Sequence, residues 1–381
     1  MSGFLRAIVV FTALIHVPFA VAIAALASRI WNGFVPLLMA FALTLLGILP
    51  IYLRAKSGLY DDRKHDLRVR LVDIPYFIHW CACVFAALAG AIYLVVGPLA
   101  ERMVTGHFRL RSDAFVGLYV AGLVVAAYGI LFRRRVFLVK RHDVAIRDLD
   151  PRLDGFTIAH LSDLHIGSLT PKSWGLKWSA RSNATRPDLV VITGDLATSG
   201  TAYHDDIANV IGSFTSTHGT IVSMGNHDYF RDGEPLIQRL REKGARVLRN
   251  EGFVLHANGA PLFVAAADDT WTRRADVAMA LAERPHGVAS LLLAHDPALF
   301  DEAASLAADI VLSGHTHGGQ IAVPYRAKRL SLSMFAHRYN LGFYRSGDST
   351  LYVHPGLGTT GPPIRIGVAP AVVVLTLKRK A

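Results

Sequence analysis

The sequence predicts an α/β protein in two parts: four membrane-spanning helices, followed by a domain of two stacked β-sheets with helices on their outer faces. Two observations lead to this prediction. The first third of the 381-residue chain contains four long stretches without a charged residue, and the mean hydropathy of +0.35 is high for a soluble enzyme. From about Arg147 onward, short apolar runs alternate with amphipathic stretches, which is typical of α/β domains.

Each uncharged stretch is about long enough to cross the hydrocarbon core of a bilayer, which requires roughly 20 apolar residues. We therefore predict a transmembrane region over residues 1–135, with helices at about 7–28, 31–53, 74–99 and 114–132. The first stretch has an alternative interpretation as a cleaved signal peptide, because Arg6 precedes an apolar run that is rich in alanine. Three further spans behind it favour a membrane anchor.

The loops between the predicted spans differ in their basic residues. Six Lys or Arg residues lie in the segment 54–70 and five in the segment 133–141, whereas the loops on the opposite side carry one and three. Because Lys and Arg concentrate in cytoplasmic loops, we predict that the N-terminus and the domain after the fourth span lie in the cytoplasm.

The net charge of +11 has two interpretations. Basic residues beside membrane spans attract anionic headgroups, by about 1 kcal/mol per residue near the surface, and basic chains also bind nucleic acids. The basic residues cluster at the span ends and form no stripe with aromatic residues, so we expect a membrane and no nucleic acid as partner. Cys81 and Cys83 lie within the third span and are interpreted as small packing residues.

The second domain is predicted over residues 147–381. Amphipathic stretches predict helices at 173–183, 204–214, 234–243, 276–283 and 298–307. Apolar runs predict strands at 156–162, 188–193, 220–224, 253–256, 261–266, 290–294, 309–313, 349–353 and 371–375.

Polar side chains follow five of these predicted strands, at the point where each apolar run ends. In α/β folds such strand ends meet at one edge of the sheet and form the functional site. The side chains that we predict to bind metal are Asp163, His165, Asp195, Asn226, His295, His315 and His317. Oxygen and imidazole donors without a thiolate suit Mn, Fe, Zn or similar ions. Asp195 is the natural bridge between two ions, a pair that would activate water and neutralise charge on a phosphoryl group.

Asp163, Asp195 and Asn226 also have a structural interpretation, because Asp and Asn favour turns and helix caps. The completeness of the set favours metal binding. Other polar residues near the motifs are interpreted as packing or supporting residues, with His354 as a possible substrate contact: His160, Asp228, His256, Asp296 and His354. Arg365 is expected either to pair with a phosphate or to be an ordinary surface arginine.

Five sequence blocks occur in order between residues 156 and 320: Asp-x-His, Gly-Asp, Gly-Asn-His-Asp, a lone His and Gly-His-Thr-His. In these blocks the chain resembles the calcineurin-like metallophosphoesterase superfamily. The resemblance implies a double β-sandwich flanked by helices (αββα) and two divalent metal ions, of Mn, Fe, Zn or Mg. It implies that Asp163, His165, Asp195 and His317 bind one ion, and that Asp195, Asn226, His295 and His315 bind the other. It also implies that His227 contacts the phosphate and assists the leaving group.

The motifs depart from those of the protein serine/threonine phosphatases in this superfamily. Gly194-Asp195 is not followed by a further Asp-Arg, and Asp228 stands where those enzymes have Glu. The glycine-rich segment 356–365 resembles the bacterial membrane-associated branch, which includes phosphodiesterases and UDP-2,3-diacylglucosamine pyrophosphohydrolases of lipid A synthesis. That branch tends to carry an acidic residue where this chain has Ala371.

We therefore expect a membrane-anchored, dinuclear metal-dependent phosphoesterase in a bacterial inner membrane, which hydrolyses a phosphodiester or pyrophosphate. The four spans favour a lipid-linked substrate, such as a UDP-acylated sugar. One alternative is a phosphodiesterase that has broad specificity or acts on cyclic nucleotides. Another is a non-catalytic sensor or transporter with a metal-binding domain, although the spans lack the buried charges that mark substrate paths. The oligomeric state stays open.

Overall fold

The computed structural model describes residues 3–56, 64, 66–103, 112–147 and 149–380. The chain divides into two compact units. One comprises Met1–Tyr60 and Asp66–Phe132, and the other comprises Asp61–His65 and Arg133–Ala381.

The first unit is helical. Its helices are α1 (Gly3–Ala27), α2 (Val35–Lys56), the short α3 (Asp66–Arg68), α4 (Ile74–Met103) and α5 (Ser112–Ala127), with π-helical turns at Val69–Asp73 and Tyr128–Phe132. Within the described residues, four segments are long and apolar enough to cross a membrane: Arg6–Ala27, Val35–Arg54, Val69–Ile92 and Phe115–Arg135. The basic loops that predict the orientation lie partly outside the described residues, at 57–63, 65 and 104–111.

Polar side chains within this unit bond to one another. His79 Nδ1 lies 2.8 Å from the Tyr119 hydroxyl, and Trp80 Nε1 donates to Thr12 Oγ1 over 3.1 Å. Cys83 is buried in the apolar core between the helices. The packing role expected for the cysteines of the third span stays a prediction, since Cys83 also lies with His16 and His79 in a group of possible metal donors.

The second unit contains two six-stranded sheets. Its strands are β1 (Leu138–Ile146), β2 (Thr157–Leu161), β3 (Leu189–Thr193), β4 (Thr220–Ser223), β5 (Arg246–Val247), β6 (Glu251–Ala257), β7 (Ala260–Ala266), β8 (Ser290–Leu293), β9 (Ile310–Ser313), β10 (Gly342–Ser346), β11 (Ser349–Val353) and β12 (Ala371–Arg379). The strand orders are β1-β12-β2-β3-β4-β5 and β10-β11-β9-β8-β7-β6. The sheets share one apolar core, in which Val191 and Val373 of the first sheet join Val264 and Leu291 of the second.

Helices cover the outer faces of both sheets. They are α6 (Lys172–Asn183), α7 (His204–Ile211), α8 (Glu234–Glu242), α9 (Val277–Leu281) and α10 (Phe300–Ser305). Trp178 of α6 and Leu236 of α8 belong to the core outside the first sheet, and Phe300 of α10 belongs to the core outside the second. The resulting order of layers, αββα, confirms the predicted fold class.

Three strands are absent from the sequence prediction. The longest is β1, which contains Lys140, Arg141 and Asp143 and lies at the edge of the first sheet, parallel to β12. An edge strand needs few apolar residues, since only one side is paired and charged side chains protect the other. Its apolar residues Val144 and Ile146 are nevertheless buried in the core between the sheets. The strand β1 belongs to the second compact unit, which includes Asp61–His65 and the chain from Arg133 onward, whereas the sequence predicts a domain over residues 147–381.

Candidate metal centre

The parallel strands of the two sheets bring the predicted ligands to one edge of the sandwich. In the first sheet β2, β3 and β4 run parallel, and the loops that follow them carry Asp163, Asp195 and Asn226. In the second sheet β8 and β9 run parallel and are followed by His295 and the Gly314–Gly318 turn. Because the carboxyl ends of parallel strands lie at the same edge, five short loops converge.

Four donor side chains form a first group at this edge. The ligand atoms of Asp163, His165, Asp195 and His317 all lie within 4.8 Å of one another, and all four residues are buried. The Nε2 atoms of His165 and His317 are 3.0 Å apart. His317 Nε2 lies 3.4 Å from Asp163 Oδ1, and His165 Nε2 lies 3.5 Å from Asp195 Oδ2. Such a group could hold one metal ion.

A second group shares Asp195 with the first. The ligand atoms of Asp195, His295 and His315 also lie within 4.8 Å of one another. His295 Nε2 is 3.3 Å from Asp195 Oδ1 and 3.3 Å from His315 Nδ1, while Asn226 Oδ1 is 3.1 Å from His315 Nδ1. The two carboxylate oxygens of Asp195 thus face different groups, as expected of a carboxylate that bridges two ions.

Backbone carbonyl groups orient two of the imidazole rings. His165 Nδ1 lies 3.2 Å from the Ala197 carbonyl oxygen, and His295 Nδ1 lies 2.7 Å from that of Thr193. An Nδ1–H that donates to a carbonyl leaves the Nε2 lone pair for a ligand. Both Nε2 atoms point into the cluster of donors.

The backbone of the site is strained. Left-handed φ angles are rare outside glycine and cost of order 1–3 kcal/mol each. Five predicted ligands adopt them: Asp163 (54°), His165 (45°), Asp195 (52°), His315 (68°) and His317 (53°). Strain of this kind persists where the surrounding structure fixes the loops, and it directs the five side chains toward one point.

The site also contains a buried oxygen that lacks a partner. Asp163 Oδ1 accepts a hydrogen bond from the backbone N–H of His315 over 2.9 Å, but Asp163 Oδ2 has no hydrogen-bond partner among the described residues. A buried carboxylate oxygen without a partner is costly. Together with the donor set, it fits a divalent cation at this position.

The electrostatic environment keeps most of the imidazoles neutral. Burial and the neighbouring His227 lower the pKa of His165 to about 3, and burial and His295 lower the pKa of His315 to about 4. Burial raises the pKa of Asp163 to about 7. Burial opposes charge on His295 as well, but the charge of Asp195, its hydrogen bond, the charge of Asp163 and the Thr193 carbonyl group together outweigh burial and raise the pKa of His295 to about 10. Without a metal ion, a proton on His295 therefore balances the charge of Asp195.

His227 lies beside the donors without belonging to either group. Its backbone N–H donates to Asp195 Oδ1 over 2.9 Å, and its Nδ1 lies 2.6 Å from the Thr198 carbonyl oxygen. Nε2 is 3.4 Å from Thr360 Oγ1, and the ring is partly exposed. This nitrogen is therefore available to a substrate at the mouth of the site.

Two sequence interpretations require correction. Arg365 is not a surface residue: it is 0% exposed and donates to the carbonyl groups of Pro355 and Gly358, each over 2.6 Å. These hydrogen bonds hold the guanidinium group inside the protein, where it does not contact a phosphate. His354 is also 0% exposed, and its ring packs edge-to-face against the ring of His160, with 4.8 Å between the ring centroids. A side chain in the core between the sheets cannot contact a substrate.

The remaining supporting residues have structural roles. Asp228 accepts hydrogen bonds from the N–H groups of Ala197 and Gly225, both over 2.9 Å, and so joins two ligand-bearing loops. Asp296 accepts from Ala298 N at the start of a short 3₁₀ turn. His256 is exposed on β6, the edge strand of the second sheet. The strands β7 and β8 separate β6 from β9, whose following loop carries His315 and His317.

Several further residues surround the site and have no recognisable signal in the sequence. The rings of Trp271 and His337 contact the ring of His315 at centroid distances of 5.6 and 5.3 Å. Gln320 and Thr360 form a reciprocal pair, in which Gln320 Nε2 donates to Thr360 O and Thr360 N donates to Gln320 Oε1. These residues lie in irregular loops, where no periodicity or motif distinguishes them.

Comparison with known proteins supports the chemistry that this geometry suggests. Residues 156–319 match the family model described as calcineurin-like phosphoesterase. This segment includes every predicted ligand and His227.

Three relatives extend the comparison. A protein of Bacillus subtilis named uncharacterized metallophosphoesterase YkuE is 27% identical over 270 residues, which cover 69% of this chain and 94% of that protein. A protein of Campylobacter jejuni named uncharacterized metallophosphoesterase Cj0846 is 29% identical over 328 residues, 84% of each chain. A protein of Danio rerio named transmembrane protein with metallophosphoesterase domain is 29% identical over 293 residues, covering 73% of this chain and 65% of that protein.

Proposed function

We propose that this chain is a membrane-anchored hydrolase of phosphodiester or pyrophosphate bonds. The proposal starts from residues 156–319, which form a calcineurin-like phosphoesterase domain with two divalent metal ions as cofactors. The observation that carries the proposal is the pair of donor groups that share Asp195. Its carboxylate lies 3.5 Å from His165 Nε2 on one side and 3.3 Å from His295 Nε2 on the other.

The proposed ligands are the seven side chains that the strand-end loops bring together. Asp163, His165, Asp195 and His317 hold one ion, and Asp195, Asn226, His295 and His315 hold the other. When bound, two such ions act as Lewis acids, lower the pKa of water and neutralise charge on a phosphoryl group. The protein's own part is to present these donors in fixed positions, which the left-handed backbone and the carbonyl contacts of the imidazoles support.

His227 is proposed as the catalytic residue that contacts the phosphate and protonates the leaving oxygen. Its Nδ1–H donates to the Thr198 carbonyl group, which fixes the ring and directs Nε2 toward the mouth of the site. A protonated Nε2 can donate first a hydrogen bond and then a proton to an oxygen that acquires negative charge. Asp195 accepts the backbone N–H of His227, so that the position of this ring depends on the proposed bridging carboxylate.

A lipid-linked substrate is the finer part of the proposal. An enzyme that acts on soluble nucleotides has little need of four segments able to cross a membrane. A lipid-linked diester or pyrophosphate, such as a UDP-acylated sugar, is itself held in the membrane. An enzyme that hydrolyses it has to act at the membrane surface, and membrane-spanning segments would hold it there. We further propose the inner membrane of a bacterium as the location and the cytoplasm as the side of the catalytic domain. The basic segments 54–70 and 133–141 support this orientation.

The test is an assay of the purified full chain with manganese, magnesium or zinc. Four substrates are compared: an aryl phosphodiester, an aryl phosphomonoester, a UDP-linked acylated sugar and, for the alternative specificity, a cyclic nucleotide. We expect metal-dependent hydrolysis of the diester and of the acylated sugar, and its loss in Asp195→Asn. His256→Ala, which changes an exposed histidine on an edge strand, serves as the matched control. Equal activity of the wild type and Asp195→Asn would refute the proposed reaction, and preference for a cyclic nucleotide would refute the lipid-linked substrate.

A further inference from the structure

The segment from Ile321 to His337 follows the metal-binding turn directly and returns to it. It leaves the turn after Gln320, and the ring of His337 at its end contacts the ring of the proposed ligand His315 at 5.3 Å. Between these points the backbone forms a short hairpin, in which Val323 N donates to Leu330 O and Leu332 N donates to Ile321 O. We call residues 321–337 the rim segment.

The rim segment has an inverted pattern of burial. Over Leu330–Phe335 the serine side chains point inward: Ser331 and Ser333 are buried, and their hydroxyl oxygens are 3.1 Å apart. The apolar residues of the same stretch point outward, with Leu332 58% and Phe335 85% exposed. A surface strand or turn in water normally shows the opposite arrangement.

Hydrogen bonds hold this inverted orientation in place. Asn340, which is buried, donates from Nδ2 to the Lys328 carbonyl group over 3.0 Å and to Ser331 Oγ over 3.2 Å. The Tyr344 hydroxyl in turn donates to Asn340 Oδ1 over 2.6 Å. The apolar side chains therefore cannot turn inward without breaking these bonds, and they form a preformed exposed surface.

The exposed apolar side chains lie on both halves of the hairpin. They are Val323, Tyr325, Leu330, Leu332, Met334 and Phe335. Isolated exposed apolar residues are ordinary, but contiguous ones mark an interaction site. Trp271, which is 63% exposed and contacts His315 from a different loop, adds a further large ring next to the metal centre.

The charge of the rim segment indicates what binds to it. No Asp or Glu occurs between Asp309 and Asp348, whereas Arg326, Lys328 and Arg329 lie at the tip of the hairpin. Arg326 and Arg329 are exposed, and within the part of the chain that the structure describes their side chains make no hydrogen bond or ion pair. Outward apolar side chains next to unpaired basic ones are the composition of interfacial segments that bind anionic bilayers.

From this combination we propose that the rim segment inserts its apolar side chains into an anionic lipid surface, with Arg326 and Arg329 at the headgroups. The described residues include four segments long and apolar enough to cross a membrane, so that a membrane-anchored chain would meet such a surface. Binding there would place the opening of the metal centre at the headgroup level. The inference concerns a binding surface and does not rest on the proposed reaction.

The experiment uses the full chain in a background without its two cysteines, Cys81→Ala with Cys83→Ala. An environment-sensitive fluorophore is attached at Phe335→Cys, and at Met279→Cys as the matched control. Met279 is also an exposed apolar residue, 61% accessible, but it lies on α9 outside the rim segment. Each labelled protein is placed in nanodiscs of phosphatidylcholine with or without phosphatidylglycerol, and lipids with a nitroxide on the acyl chain are used as quenchers.

We expect a blue shift and at least twofold quenching at position 335 in the anionic nanodiscs, and neither at position 279. Arg326→Gln with Arg329→Gln should reduce the quenching at position 335. No quenching at position 335, or equal quenching at both positions, would overturn the proposal. A blue shift in detergent that grows with protein concentration would overturn it in favour of a second copy of the chain. A melting temperature equal to that of the unlabelled full chain verifies that each labelled protein is folded.

Discussion

The guanidinium group of Arg365 supports His317 from the side opposite the other donors. Arg365 Nη2 lies 3.2 Å from His317 Nδ1, while His317 Nε2 faces Asp163 Oδ1 at 3.4 Å. Arg365 is fully buried, and its Nη1 also donates to the carbonyl group of His317 over 3.3 Å. Since a guanidinium carries only donors, His317 Nδ1 accepts this hydrogen bond, and the proton of the neutral ring lies on Nε2, 3.0 Å from His165 Nε2. This proton must leave before His317 Nε2 can bind a metal ion.

Replacing Arg365 by methionine should therefore destabilise the domain. The carbonyl groups of Pro355 and Gly358 and the His317 ring would lose their donors inside the protein, at about 1–3 kcal/mol for each unsatisfied group. We expect the melting temperature of the purified full chain to fall by several degrees or more. Arg345→Met, at an exposed position on β10, is the control and should have little effect. Equal melting temperatures of the two variants would contradict this role.

Gly314 is predicted to tolerate no side chain. A Cβ atom at this position would collide with Ser162 Oγ and with Asp163 Oδ2, the buried oxygen that lacks a hydrogen-bond partner among the described residues. Gly314→Ala should displace the Asp163 carboxylate and reduce the amount of bound metal by about one ion per chain. Elemental analysis of the purified variant checks this result. Gly117→Ala, where a Cβ meets no atom within 4 Å, is the control. An unchanged metal content in Gly314→Ala would show that Asp163 is not a ligand.

His227→Ala should lower kcat by about 10²–10⁴-fold, the usual contribution of a general acid. The metal content should stay the same, because His227 belongs to neither donor group. If the ring protonates the leaving oxygen, the loss is larger for a diester with an alkyl alcohol as leaving group than for one with a nitrophenolate. Steady-state assays with both diesters measure this difference. An equal loss with both would contradict the proton transfer and leave His227 with phosphate binding alone.

Metal binding should release protons at neutral pH. The pKa of His295 is raised to about 10 and that of Asp163 to about 7, so that His295 is protonated and Asp163 partly protonated in the metal-free protein at pH 7. Both must be deprotonated to act as ligands. The apparent affinity for the metal should therefore rise as the pH rises from about 6 to 8 and fall as the pH is lowered.

Calorimetric titration measures this proton release directly. Manganese is titrated into the metal-free full chain at pH 7 in two buffers that differ in ionisation enthalpy. Released protons are taken up by the buffer, so the measured binding enthalpies should differ between the two buffers. The difference should correspond to the uptake of about one or more protons for each chain. Identical enthalpies would contradict the protonation state assigned to His295.

Much of the site follows from local sequence patterns. Apolar runs such as Leu189–Thr193 predict buried strands, and the polar residues immediately after them predict convergence at the sheet edge. The structure does bring all seven predicted ligands together, although their role as ligands stays a prediction. The alternation of strands and helices likewise indicated the αββα layers that the structure contains.

Other features have no local signal. The edge strand β1 carries the polar residues Lys140–Asp143 in its middle, where only one of its sides is paired, so its apolar residues form no continuous run. Arg365 is one basic residue in a loop, and only the folded chain reveals that the backbone carbonyl groups of Pro355 and Gly358 surround it. The left-handed backbone of His165 and His317 is imposed by tertiary contacts, since histidine itself gives no sign of it.

The metal content of the purified full chain tests directly whether the two donor groups that share Asp195 bind two divalent ions. Elemental analysis of active protein should find two divalent ions per chain, and Asp195→Asn should lose most of both, because its carboxylate faces both donor groups. A chelator should abolish hydrolysis of an aryl phosphodiester, and added manganese, magnesium or zinc should restore it. Active protein that contains no divalent metal, with turnover unaffected by the chelator, would contradict the account.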